Sequence, residues 1–456
     1  MDPTRFVAPE IGRAQKGPGR WGFYRFVPEP MPRELTFDPE TILALSGADT
    51  ALGRLAGAGR QLPNPHLLVN PYVTREAVAS SRIEGTQASL SEVLEATATG
   101  RSTPGSDVQE VRNYIAAFNA GLEGLRRMPL CLRFIREVHG VLMEGVRGQE
   151  RRPGEFRSTP NWIGSPTDTP ENATFVPPLP DEMGPALDDL ERFLNQNVRL
   201  PVLVRCALVH YQFETIHPFL DGNGRLGRLL AVFYLVQQDA LPQSLLYLSS
   251  YFEAHRADYY DRLQAVRERG LLQEWLQFFL TAVAVQANDA IERAERLGDL
   301  REAYRRELAS SRSRASEVVE LLMANPFVTV RNVQTELGVT QPGALNLLRG
   351  IEKRGWLRDM GTIGRGGRTI WVAPEVLSVI ADVDEDHGSK SLPTETSRGG
   401  LDARPAAAVG GAHAGGSSGT GHDALVGCRR AAGGRQPRGV AIGFRLRGFA
   451  AGGPWS

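Results

Sequence analysis

From His217 to Arg228 the chain reads His-Pro-Phe-Leu-Asp-Gly-Asn-Gly-Arg-Leu-Gly-Arg, so an imidazole, a carboxylate, an amide and two guanidinium groups share one short run. His217 is the side chain best suited to take a proton near neutral pH. Asp221 is the carboxylate of the run, the kind of hard oxygen donor that holds Mg²⁺ together with phosphate oxygens. Gly222, Asn223 and Gly224 form a turn whose N–H groups can face an anion, and Arg225 and Arg228 add positive charge beside it. These are the parts needed to hold a nucleoside triphosphate and remove a proton next to it.

Two helices must position them. Val202 to Ile216 is apolar at helical spacing and Leu229 to Val236 resumes such a run, which predicts helix, tight loop, helix. The turn then opens the second helix, whose free N–H groups favour phosphate.

Every restricted position of the run resembles the Fic family signature, HPFx[D/E]GN[G/K]RxxR. The resemblance implies a mainly α fold: a Fic-type helical core with a β-hairpin flap. It also implies transfer of AMP from ATP, with Mg²⁺ as cofactor, to a Ser, Thr or Tyr hydroxyl of a target protein, the chain itself included. His217 would be the general base and Asp221 the Mg²⁺ ligand. Asn223, with the N–H groups of Gly222 and Gly224, would orient the α-phosphate, while Arg225 and Arg228 grip the β and γ phosphates. Tyr259 falls where the family contacts adenine, although aromatic pairs on helices more often belong to a core. His210 could join His217 and Asp221 in a metal site, or could be a satisfied helix histidine under the loop, the reading that also applies to His139.

Two further segments take meaning from the signature. Ser80-Ser81-Arg82-Ile83-Glu84-Gly85 resembles the family's inhibitory motif, here on a helix over about 71–84, with Ser80, Glu84 and Gly85 at its marked positions. The implied mechanism is a fork-to-fork pair in which Glu84 competes with the γ-phosphate for Arg228; the bland alternative is a solvated acid at a helix end. GEFR at 154–157 and NWIG at 161–164 resemble the hairpin flap, about 154–177, that docks target peptide by strand pairing; Asn161, Trp162, Ile163 and Gly164 are its candidate docking residues.

Length and composition bound the rest. At 456 residues, with 52 basic and 52 acidic side chains, the chain holds two or three domains and no global charge that points to nucleic acid or membrane. Cys131, Cys206 and Cys428 are too few and too scattered for a disulfide framework, and no signal peptide or apolar span of about 20 residues appears; a cytoplasmic location is expected. The expected organisation is an N-terminal helical region over 1–128, a catalytic core over 129–296, a winged helix over 312–380 and a disordered Gly/Ala/Arg-rich tail over 384–456. Basic residues concentrate at Arg349, Lys353, Arg354, Arg365 and Arg368, so residues 312–372 suit DNA or a protein partner equally. The competing functions are a winged-helix regulator that uses the Fic core as a nucleotide sensor, and a Fic enzyme that mainly removes AMP. The sequence leaves the oligomeric state open.

Overall fold

The computed structural model describes residues 1–381 except 20, 62–64, 102, 166, 242–244 and 364–367; at 61, 65–69, 149, 363 and 368 only the backbone is described. The expected tail and Arg365 therefore lie outside the described residues, as does the side chain of Arg368.

A hairpin of β1 (Gly12–Lys16) and β2 (Tyr24–Pro28) opens the chain. Helices follow: α1 (Pro39–Gln61), α2 (Pro65–Ile83), α3 (Leu90–Thr99), α4 (Asp107–Leu125), α5 (Leu132–Leu142), α6 (Pro180–Asn195), α7 (Val202–Ile216), α8 (Asn223–Gln237), α9 (Ser249–Ala254), α10 (Arg256–Arg269) and α11 (Leu272–Leu308). Then come α12 (Ala315–Ala324), β3 (Phe327–Thr329), α13 (Val330–Leu337), α14 (Gln341–Glu352), β4 (Arg358–Ile363), β5 (Arg368–Val372) and α15 (Pro374–Ile380). The late strands form one antiparallel sheet in the order β3-β5-β4. The mainly α expectation holds. None of the helices is long and apolar enough to cross a membrane among the described residues.

α7 and α8 form the centre. Each is buried on nearly every side, from Leu203 to Ile216 and from Asn223 to Leu235, which is why both read as apolar all round. Around them α2, α4, α5, α6 and α11 supply one continuous apolar core.

Several elements depart from expectation. Pro71 lies inside α2, which starts six residues earlier at Pro65, and Thr74 Oγ1 donates to the Asn70 carbonyl at 3.0 Å beside it. Gly85 does follow the helix end, at φ 95°. α11 runs without a break to Leu308, past the expected boundary at 296, and carries the later module into the same core: the Tyr304 ring stacks on Trp356 at 4.1 Å, and its hydroxyl donates to Glu375 at 2.7 Å. The described part of residues 312–380 is thus packed on the body and shares its apolar core. Over 154–177 there is no strand ladder among the described residues, only one antiparallel bridge, Ile163 with Phe175, closed by hydrogen bonds of 2.8 and 3.1 Å. The many turn residues between these positions leave no room for a longer ladder.

Candidate active site

The catalytic run begins where α7 stops. His217 takes the left-handed conformation at φ 50°, unusual for a residue other than glycine, and its N–H still bonds the Phe213 carbonyl at 2.9 Å. Such a strained turn needs bracing. Arg157, itself buried, donates to the carbonyls of His217 (2.9 Å), Ile216 (3.2 Å) and Pro178 (2.6 Å), while its N–H bonds Pro218 O at 2.9 Å. Asn161 adds its amide to the Phe219 and His217 carbonyls at 2.8 and 3.3 Å. The expected flap therefore grips the loop through Arg157 and Asn161; Trp162 stays exposed, and Ile163 is held against Phe175. At Gly164 a Cβ would collide with Asp168.

Beneath the loop, the Phe219 ring stacks on His139 at 3.7 Å, and His139 joins the Asp221 carbonyl (3.0 Å) to the Gly154 N–H (2.9 Å). Burial pushes His139 down to about 4, so it bridges as a neutral ring. Asn223 differs from expectation. Its side chain accepts from Phe219 N at 2.9 Å and donates to Phe219 O at 2.8 Å, so the amide clamps the loop instead of reaching out to the α-phosphate.

Gly222 sits at φ 75° and starts α8; a Cβ there would stand 2.8 Å from Met143 Sδ. Asp221 caps its N–H with Oδ1 at 2.7 Å, while Oδ2 lies 3.6 Å from Arg151. Arg225 points to Asp221 at 3.7 Å and to Glu110 at 3.6 Å and is itself buried, so it backs the loop from within instead of lying open to a ligand.

The occupant of the anion-binding end of α8 comes from α2. Glu84 Oε1 lies against Gly224, where a Cβ would collide with it, and accepts from Arg228 Nη2 at 2.7 Å. Arg228 also donates to Ser80: Nε to the hydroxyl at 2.8 Å and Nη2 to the carbonyl at 2.9 Å. The expected fork-to-fork pair is thus a single-oxygen contact completed by Ser80. Burial works to neutralise Glu84, but Arg228, then Arg225 and His217, outweigh it and hold the carboxyl below its ordinary range. Burial opposes the charge of Arg228 as well, and Glu84 more than offsets it.

His217 is neutral. Burial, with Arg157 and Arg267 nearby, pushes the imidazole down to about 3 against the pull of Glu84. His210 is no metal ligand here: it bonds the Gly227 carbonyl at 3.0 Å and the Tyr259 hydroxyl at 2.8 Å in the core. That same bond corrects the reading of Tyr259, which is a core residue, buried and stacked on Phe252 at 4.7 Å; the exposed aromatic is its neighbour Tyr260.

Sequence reasoning did not single out Arg157, whose partners in the loop, the His217 and Ile216 carbonyls, lie about sixty residues on. It also passed over Glu214, although a carboxylate three residues before His217 on one helix is a spacing signal.

Two family patterns cover this architecture. Residues 42–123 match the pattern described as Fic/DOC family N-terminal, and residues 129–235 match Fic/DOC family. Residues 42–235 belong to the Fic family. The chain is 26% identical over 222 residues to protein adenylyltransferase fic-1 of Caenorhabditis briggsae, covering 46% of this chain and 39% of that one. It is 28% identical over 204 residues to protein adenylyltransferase Fic of Culex quinquefasciatus, covering 43% and 37%. The chain thus spans about two fifths of the length of these curated relatives. A Fic family protein from Desulfovibrio desulfuricans G20 shares the fold, with a TM-score of 0.50 and 22% identity over 76% of this chain and 98% of that one.

Proposed function

We propose that this protein transfers AMP from ATP to a hydroxyl side chain of a protein, and that Glu84 restrains the transfer. The observation that carries this reading is the Glu84 carboxylate at the N-terminal end of α8, paired at 2.7 Å with Arg228 in the place suited to a phosphate. A neutral imidazole, His217, stands at the other end of the same loop.

The chemistry follows from the parts. A target hydroxyl loses its proton to His217 while its oxygen bonds to the α-phosphorus, and the bond from that phosphorus to the bridging oxygen breaks as pyrophosphate leaves. The N–H groups that open α8 face the phosphates, and Arg228, once free of Glu84, grips the γ-phosphate. Mg²⁺ fits Asp221. Asp221 is partly exposed, with Oδ2 standing 3.6 Å from Arg151, so this carboxylate would meet an ion whose shell is completed by phosphate oxygens and water. When bound, the ion would neutralise the phosphates.

The order α12, β3, α13, α14, β4, β5 supports reading residues 312–380 as a winged helix, with Arg349 of α14 and Lys353 at its C-cap exposed. A duplex-DNA affinity that falls steeply with salt would assign it to DNA, and a salt-insensitive association to a protein partner.

The test uses ATP labelled at the α-phosphate. Glu84→Gly should raise self-labelling well above the native chain, and adding His217→Ala should remove it by about a hundredfold or more while ATP binding persists. Label carried equally by the His217→Ala form would refute the assignment.

A further inference from the structure

The buried polar atoms around the loop without a hydrogen-bond partner include Nδ1 of His217 and Oε1 of Glu214. These two belong to side chains that face each other, with the other Glu214 oxygen, Oε2, 3.8 Å from Nδ1. Glu214 lies in the last turn of α7, and the left-handed turn at 217 sets the ring beside it. The carboxylate is confined on its far side by α8: a Cβ on Gly227 would collide with Oε1. Only glycine at 227 leaves the carboxylate its place.

The geometry points to Glu214 as the positioning residue of the base: its carboxylate accepts the Nδ1 proton of His217, leaving the Nε2 lone pair for the incoming hydroxyl. This rests on the transfer reaction proposed above. As the hydroxyl oxygen bonds to the α-phosphorus and pyrophosphate departs, the hydroxyl proton moves to Nε2. Glu214 takes no proton; its negative charge stabilises the imidazolium that forms. A separation of 3.8 Å is long for the unliganded state and closes to a hydrogen bond when substrate is aligned.

The surrounding charges explain why such a partner is needed. Burial, then Arg157 and Arg267, disfavour a charged His217; Glu84 and the Glu214 main-chain carbonyl work the other way, though that carbonyl makes no hydrogen bond to Nδ1. Glu214 itself is pushed up to about 7 by burial, with Arg228 on α8 and Arg267 on α10 opposing and Glu84 on α2 adding to the rise. Tyr259 and Tyr260, both on α10, also feel the Glu214 charge. Below that range the carboxyl is neutral and equivalent in charge to glutamine.

The experiment takes the full-length Glu84→Gly protein as parent and measures the maximal rate of self-labelling and the KM for ATP from about pH 5.5 to about pH 9. Adding Glu214→Gln should leave KM unchanged and lower the maximal rate about tenfold to a hundredfold at the alkaline end. Toward acid pH the two proteins should converge, because protonated Glu214 and Gln carry the same charge. Loss of Glu84 removes a negative neighbour, so convergence should fall somewhat below about pH 7. Glu214→Asp should keep the pH-dependent advantage. A rate ratio independent of pH, or an undiminished Gln variant, would overturn the proposal and leave Glu214 a packing residue. The ¹⁵N shifts of the His217 ring, assigned by comparison with His217→Ala, give a readout that needs neither the Gln variant nor turnover: a proton on Nδ1 near pH 8 is expected, and one on Nε2 overturns the inference. A parent that carries no label at all would instead sink the transfer reading while this tautomer measurement still stands.

Discussion

Arg228 is held by Ser80 in the last turn of α2 and by Glu84 just beyond its end, and that division decides how the restraint responds to mutation. Glu84 supplies one oxygen and Ser80 supplies two acceptors, so Glu84→Gly leaves Arg228 in place on Ser80 with its outward donor released to a phosphate. Self-labelling should rise with Glu84→Gly and fall with Arg228→Ala. The double variant should match Arg228→Ala alone, because the first change has nothing left to release; additive effects in the cycle would show that the two act separately. Acid is no substitute for the mutation. Glu84 is held below its ordinary range, so the pair is intact above the unfolded pKa near 4.5 and is lost only as pH falls through the lower folded value. At this scale the signature and the pairing of Glu84 with Arg228 were legible, since both rest on motif residues. What the sequence could not carry was which neighbour saturates a polar group: Phe219 takes the amide of Asn223, and His210 takes the hydroxyl of Tyr259.

α11 joins what the sequence divides. Its 37 residues pass from the core into the C-terminal module without a cap, and Arg293 and Tyr304 on it bind that module at Val379 O (2.9 Å) and Glu375 (2.7 Å). Asn325 after α12 also donates to the Leu94 carbonyl of α3 at 3.0 Å, close to the helices that carry the restraint. Residues 1–381 should therefore unfold in one calorimetric transition. Tyr304→Ala should lower that whole transition, by about 3 kcal/mol or more for a large ring removed from a packed site; two transitions, with only the second moved, would restore independent domains. Helical spacing located α7 and α8, and the inhibitory motif placed the end of α2. Helical spacing missed the β1–β2 hairpin, whose Phe26 is covered by Phe175 at 5.7 Å from far along the chain, and the break at His255, which separates α9 from the largely polar α10. Both depend on tertiary neighbours that a local pattern does not contain.

The site burdens the whole molecule with buried ionisable groups, and their proton balance sets its stability against pH. His139, His210 and His217 are pushed down to about 4, 3 and 3, so between about pH 4.5 and 6.5 they are neutral when folded and protonated when unfolded. Glu76 and Glu214 are pushed up, chiefly by burial, to about 7, so in the same window they are protonated when folded and ionised when unfolded. Three protons taken up on unfolding by the histidines stand against two released by the carboxyls, a net uptake of one. Because the unfolded state binds more protons, these five groups make stability fall on acidification, by only about 1.4 kcal/mol per pH unit. Glu76 is the informative one to change. It sits on α2, accepts from Ser249 N at 3.0 Å and from Tyr114 at 3.0 Å, and its amide analogue can keep part of that bonding without titrating. Glu76→Gln removes one of the two compensating protons, so the acid side of a stability profile, measured by urea unfolding from about pH 4.5 to 6.5, should steepen by about one proton. An unchanged slope would mean that Glu76 is already ionised in the folded protein.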